Sequence, residues 1–214
     1  MVKIILEKIS KEFKLIEEEN EEFKTLHLNG MTFINSSYYA QGLGNIGIMR
    51  VTDDKGIMKM DSLIVNPFEI DGPMISYDHI KMMGNNILYL EPFNTTINNS
   101  FDCSGLKNIA NHYDELIENN PQKSHWYEDL RMAGTIFKKS TETELIVEMI
   151  DRYYDEYIKA LLKCDKCDIN LKKEKASLYS NGLIENGGPA TDPFIQSFGK
   201  EKTKKFFKEV LFGV

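Results

Sequence analysis

The sequence contains no apolar run approaching the roughly 18 residues of a membrane span, and charged residues recur along its whole length. Its start, MVKIILEKISKEFKLIEEENEEF, lacks both the apolar core and the small-residue cleavage site of a secretory signal. A soluble, cytoplasmic protein is therefore expected, and the acceptor patterns at Asn94-Thr95-Thr96 and Asn98-Asn99-Ser100 carry no weight. Basic charge is also scarce. There are 26 Lys and Arg against 33 Asp and Glu, a formal net charge of −7, which does not suit a general nucleic-acid binder.

Several catalytic signatures are missing as well. The chain has no Walker A loop, no HExxH, no GxSxG elbow and no GxGxxG that opens a helix. Gly42-Leu43-Gly44-Asn45-Ile46-Gly47 has dinucleotide-loop spacing but runs into strand-like text, without the helix N-terminus that would hold a phosphate. It reads as a loop before a strand. Cysteine is rare, and three is an odd number, so free thiols are expected. Cys164 and Cys167 have CxxC spacing, which suits half a metal site, a redox pair or simply a helix end. Cys103, His112 and His125 offer no matching spacing to complete a zinc site, and no metal is assigned.

Over 214 residues, 42% hydrophobic and 28% charged composition supports an ordinary globular core. No internal repeat or Pro/Gly/Ser-rich linker divides the chain, so a single domain over residues 1–214 is expected. Residues 3–24 space Ile4, Ile5, Ile9, Phe13, Ile16 and Phe23 as an amphipathic helix. Between residues 31 and 92 the text changes to five β-type runs: MTFINSSYY, NIGIMRV, IMKMDSLIV, PMISYDHI and NNILYLEPF. Asp53-Asp54-Lys55-Gly56 is a hairpin turn between the second and third. After Pro92 the text is helical to the end, with helices expected over 105–118, 142–163, 170–182, 191–198 and 200–212. Strands followed by helices, without alternation, predict an α+β fold with an antiparallel sheet.

One strand raises a chemical question. Alternation sets Met74, Ser76, Asp78 and Ile80 on one face and Ile75, Tyr77 and His79 on the other. A carboxylate in mid-strand among apolar neighbours is costly unless it is paired, hydrogen-bonded or protonated. Asp78 is either a structural strand-end group or a functional acid.

Three stretches bear on the choice: NPFEIDGPMISYDHI, HWYEDLRMAGTIF and TDPFIQSFGKEKTKKFFKEVLF. In order and spacing they resemble the ferredoxin-dependent bilin reductases, the group that contains phycocyanobilin:ferredoxin oxidoreductase. The red chlorophyll catabolite reductases belong to the same superfamily. The resemblance implies a three-layer α/β/α sandwich around a central antiparallel sheet. It also implies reduction of a linear tetrapyrrole of the biliverdin type through radical intermediates. Reduced ferredoxin would be the external electron donor, with no bound flavin or metal. Asp78 would project into the pocket as the proton donor, and His79, on the opposite face, would be structural.

The sequence departs from the family at three places. Ser62, with Asp61 beside it, stands where many bilin reductases have His or Asn. Arg50 stands where the phycocyanobilin enzyme has a glutamate. Gly187-Gly188 stands where the family has a later aspartate, with Asn186 and Asp192 nearby. Asp192 is the expected second acid. Arg50 is expected to pair with a ligand propionate through its planar fork, and Ser62, Met74 and Ser76 to contact the pigment. Met49, Met58, Met60, Met74, Met82 and Met83 suit an adaptable pocket wall or plain core. Lys200, Lys202, Lys204, Lys205 and Lys208 form a local basic helix face, expected to dock the acidic ferredoxin. A monomer is expected. The rival reading is a non-catalytic tetrapyrrole-binding or carrier protein on the same fold.

Overall fold

The computed structural model describes residues 1–122, 124–188 and 190–214. The first apolar periodicity gives α1 (Val2–Glu12), which buries Val2, Ile5 and Ile9. It ends where Phe13 turns extended (φ −129, ψ 131), well short of the expected residue 24. Continued as a helix, Glu17, Glu18, Glu21 and Glu22 would stack like charges at i,i+3 and i,i+4. The chain instead forms β1 (Leu15–Glu18) and β2 (Thr25–Leu28), which pair with the two halves of β3 (Met31–Ala40).

The other four β-type runs follow as β4 (Gly44–Asp53), β5 (Met58–Pro67), β6 (Met74–Met82) and β7 (Asn85–Phe93), all antiparallel. The β4–β5 turn is at Asp53–Gly56, where Gly56 takes φ 68 and the Asp53 carboxylate accepts the Met58 amide at 2.7 Å. Met83 and Gly84, at φ 49 and 78, make the β6–β7 turn, as a two-residue hairpin with positive φ at both central positions requires.

The text after Pro92 is not helical throughout. After α2 (Ser104–Asp114) come β8 (Glu118–Asn119), a 3-10 turn at Glu128–Leu130 and β9 (Ile136–Ser140). β9 pairs with β7 and carries β8, so the sheet extends beyond residues 31–92 at both ends to nine strands among the described residues. The remaining elements are α3 (Thr143–Leu161), α4 (Ile169–Asn186), α5 (Asp192–Phe198) and α6 (Lys200–Phe206), ending in a π-helical tail, Phe207–Phe212. α4 runs past the expected residue 182, and its Gly182 lies under the Trp126 indole, where a Cβ would fall 2.2 Å from the ring.

Strand parity sorts the core into two. Ile46, Ile48, Leu63, Val65, Ile75, Tyr77, Leu88 and Leu90 face the apolar stripes of α1, α2 and α3. Phe33, Met49, Val51, Ile64, Met74 and Phe93 face α4, α5, α6 and the tail. The result is an α+β sandwich of three layers with the antiparallel sheet in the middle. Among the described residues no helix is long and apolar enough to cross a membrane.

Two asparagines and a glycine seat the tail. Asn45 donates to the Leu211 carbonyl at 3.1 Å and Asn66 to the Phe212 carbonyl at 2.7 Å. Gly47, inside β4 as the run NIGIMRV implies, admits the Leu211 backbone; a Cβ there would sit 2.3 Å from the Leu211 oxygen. Because backbone rather than a movable side chain fills that space, Gly47→Ala should cost about 1–3 kcal/mol through overpacking. A lowered urea midpoint, with proteolysis appearing first in residues 207–214, is the expected readout.

Candidate active site

Between the sheet and the C-terminal helices lies a cleft of about 450 Å³, within the range of small-molecule sites. Antiparallel register explains which side chains meet there. Phe33, Val51, Met60 and Ile80 form one row across β3 to β6. Met49, Ser62, Asp78, Tyr89 and Phe137 form the next, across β4, β5, β6, β7 and β9. Ile64, Ser76 and Glu91 form a third. The β3–β5 end is thus apolar and thioether-rich, while the β6–β9 end carries the polar chemistry. Tyr179 and Leu183 from α4, Phe194 from α5 and Phe207, Leu211 and Phe212 from the tail close the opposite wall.

Asp78 lies at the centre of this floor, half-buried, and lines the cleft. Burial raises its carboxyl above the usual range, and hydrogen bonding with Ser62 and Ser76 partly restrains the rise. The carboxyl is thereby biased toward its protonated form, which is what a general acid needs. On the opposite face His79 is buried, its Nε2 3.0 Å from the Asn86 side-chain oxygen, and burial lowers its pKa against that hydrogen bond.

Ser62 and Ser76 line the cleft beside Asp78, while Asp61 turns to the other face. Three expected site residues are elsewhere. Arg50 follows the parity of Ile48, away from the cleft; it is exposed and 3.9 Å from the Asp61 carboxylate, a surface pair. Met74 shares the Asp78 face but is fully buried in the core cluster and does not line the cleft. Asp192 is exposed at the start of α5, where its carboxylate accepts the Gly188 amide at 2.9 Å, and it too is outside the lining. Of the methionines, Met49, Met58 and Met60 line the cleft together with Met31, whereas Met82 and Met83 are exposed near the hairpin turn.

The arginine and second acid of the cleft are Arg131 and Glu91. Residues 128–132 run beside the end of β7, held by the Asn94 amide on the Leu130 carbonyl (2.7 Å) and the Met132 amide on the Pro92 carbonyl (2.9 Å). This delivers Arg131 Nε to Glu91 Oε1 at 2.7 Å, both side chains nearly buried. Burial raises the Glu91 carboxyl, Arg131 opposes the rise and Asp78 adds to it. The guanidinium lies 5.1 Å from the Tyr127 ring centre and 4.9 Å from that of Phe137. His125 stacks on Tyr127 at 5.0 Å, and burial, with Glu91 adding, pushes the Tyr127 hydroxyl up to about 12.

Cys103, Cys164 and Cys167 are free thiols, and among the described residues no group of three or more His, Cys, Asp or Glu is placed to share a metal ion. Burial raises the thiol pKa of both Cys164 and Cys167, which disfavours the thiolate that metal binding or exchange would use.

No protein-family model and no curated protein matches the sequence. Among solved structures, phytochromobilin synthase from tomato in complex with biliverdin is similar with a TM-score of 0.75 and 14% identity, over 99% of this chain and 81% of that one. The likeness is one of fold.

Proposed function

We propose that the protein reduces a linear tetrapyrrole, with electrons delivered singly by reduced ferredoxin and with Asp78 as a proton donor. The observation that carries this reading is Asp78 itself, a half-buried carboxyl with a raised pKa at the centre of a cleft on a fold shared with a biliverdin-binding enzyme. Saturating one double bond of the pigment consumes two electrons, from two reduced ferredoxins, and two protons. The first electron makes the pigment more basic, and the neutral carboxyl beside it can then donate. No flavin or metal intervenes on this reading, and the enzyme acts as a monomer. The apolar, thioether-rich end of the cleft suits a conjugated plane, and Ser62 and Ser76 can contact its polar edge.

Two measurements test it. Titration with biliverdin should give a saturable shift of the pigment's absorbance, and anaerobic addition of reduced ferredoxin should then bleach the bound pigment. Binding without bleaching would favour the non-catalytic carrier, a reading that the position of Asp192 outside the cleft lends some support.

Ferredoxin would dock on the helix face carrying Lys200, Lys204, Lys205 and Lys208. Lys202 and Lys205 each reach Glu22, at 3.0 and 2.9 Å, which neutralises part of the patch. Reversing Lys204 and Lys205 to Glu should slow ferredoxin-driven reduction several-fold at low salt, with the deficit shrinking as ionic strength rises. Biliverdin affinity should hardly change. Equal rates for the variant and the wild type at every ionic strength would remove this face from the docking surface.

A further inference from the structure

We infer that Arg131 is the anchor for a carboxylate of the ligand, and that sharing its charge between that carboxylate and Glu91 makes Glu91 the second proton donor of the cleft. The inference rests on the proposed function and assigns two residues within that site.

Among the described residues Arg131 is the only Lys or Arg in the cleft wall. Its Nε is committed to Glu91 at 2.7 Å, while its nearest other carboxylate, Glu128, is 3.6 Å away, beyond a good hydrogen bond. A guanidinium offers five N–H donors in a planar fork, so its terminal nitrogens retain capacity for an incoming carboxylate. The two aromatic rings against it hold that fork in the wall.

The sharing has a chemical consequence for Glu91. With the Arg131 charge divided between it and the ligand carboxylate, Glu91 keeps its burial and the repulsion from Asp78 but has less of the one cation that stabilises its charge. The groups that act on it are Asp78 from β6, Tyr89 from β7, Tyr127 and Arg131 from the 128–132 segment and its approach, Tyr179 from α4 and, from the other layer, Tyr153 of α3. None is an alternative cation. Glu91 therefore takes a proton from solvent as the ligand binds, donates it to the pigment once an electron has arrived, and is left as the carboxylate that regains Arg131 in full on product release. The proton comes from solvent and the electron from the one-electron donor, and no other reagent is needed.

The experiment uses biliverdin and its dimethyl ester, in which both propionates are blocked, and measures affinity together with proton uptake by calorimetry in buffers of different ionisation heat. Wild type should take up more protons on binding biliverdin than Glu91→Gln does, by about one. The same excess should persist in an Asp78→Asn background. The ester should bind wild type roughly tenfold or more weakly than the free acid, and should elicit little uptake. Because Arg131 alone cannot be removed without leaving a buried carboxylate unpaired, the double variant Arg131→Gln/Glu91→Gln is the control. It should fold, and should bind acid and ester alike. If biliverdin binds but acid and ester have equal affinity, or wild type and Glu91→Gln take up equal numbers of protons, this inference is wrong and the functional reading stands. If biliverdin does not bind wild type at all, the functional reading falls and takes this assignment with it.

Discussion

Asp78→Asn should bind biliverdin within a factor of about two to three of wild type, while its ferredoxin-driven turnover falls by about 10²–10⁴, the usual worth of a positioned general acid. Asparagine keeps the size of the side chain and can still hydrogen-bond with Ser62 and Ser76, but it has no proton to give. The wild-type pH profile should show the reason. Turnover should decline as pH rises through the raised pKa of Asp78, since the acid form is the active one, and that limb should vanish in the variant. Stability should move the other way. A carboxyl whose folded pKa is raised binds more protons folded than unfolded, so its contribution to stability falls as pH climbs from the ordinary carboxylate range through the raised value. Above the ordinary carboxylate range, keeping this carboxyl in the fold is a cost that asparagine relieves, and the variant should unfold at equal or higher urea at neutral pH. A variant that turns over at the wild-type rate would remove Asp78 as donor and leave Glu91 or water.

How far the site could be read in advance depended on parity. The runs of β3 to β7 alternate clearly, and the turns at Asp53–Gly56 and Met83-Gly84 carry their own chemistry, so the strands were legible and so was the face of Asp78. Carrying the same parity one strand back would have turned Arg50 away from Asp78, because Ser62 is opposite both Met49 and Asp78 in the register. Carrying it one strand on would have found Glu91 in NNILYLEPF, two residues beyond Tyr89 on the same face. Arg131 was not legible that way. It reaches the cleft through a bridge between Phe93 and its own backbone, a contact set by tertiary packing and not by local period. β9 was hidden for a related reason. Its five residues stand far from the block of strand-like text that ends at residue 92, and pairing with β7 completes them as a strand. The N-terminal helix was over-extended because apolar spacing persists after Glu12 while the run of glutamates opposes a helix.

The largest loss of stability is expected from Lys172→Met. Lys172 is fully buried on α4, and its ammonium donates to the Gly72 carbonyl at 2.6 Å, the Thr95 carbonyl at 2.7 Å and the Thr95 hydroxyl at 3.1 Å, with Asp71 at 3.9 Å. Asp71 in turn accepts the amides of Ile97 and Asn98 at 2.6 and 2.9 Å, and the Thr95 hydroxyl also accepts the Met74 amide at 3.0 Å. One side chain therefore ties α4 to the segment leading into β6 and to the segment that leaves β7, the strands that carry Asp78 and Glu91. Methionine matches its length but strands two carbonyls and a buried carboxylate, which should cost about 3–5 kcal/mol. Replacing Asp71 by Asn in the same chain should recover part of it, since the two sites are coupled. pH gives a second check. Burial lowers the Lys172 pKa to about 8, with Asp71 opposing, so from there up to the ordinary lysine range the unfolded chain holds more protons than the folded one. Stability from this group then rises with pH, and the advantage of wild type over Lys172→Met should widen across that interval. Because α4 also carries Tyr179 and Leu183 in the cleft wall, the variant should bind biliverdin more weakly even where it remains folded. Unfolding midpoints equal to wild type at pH 7 would show that the α4 clamp is elsewhere.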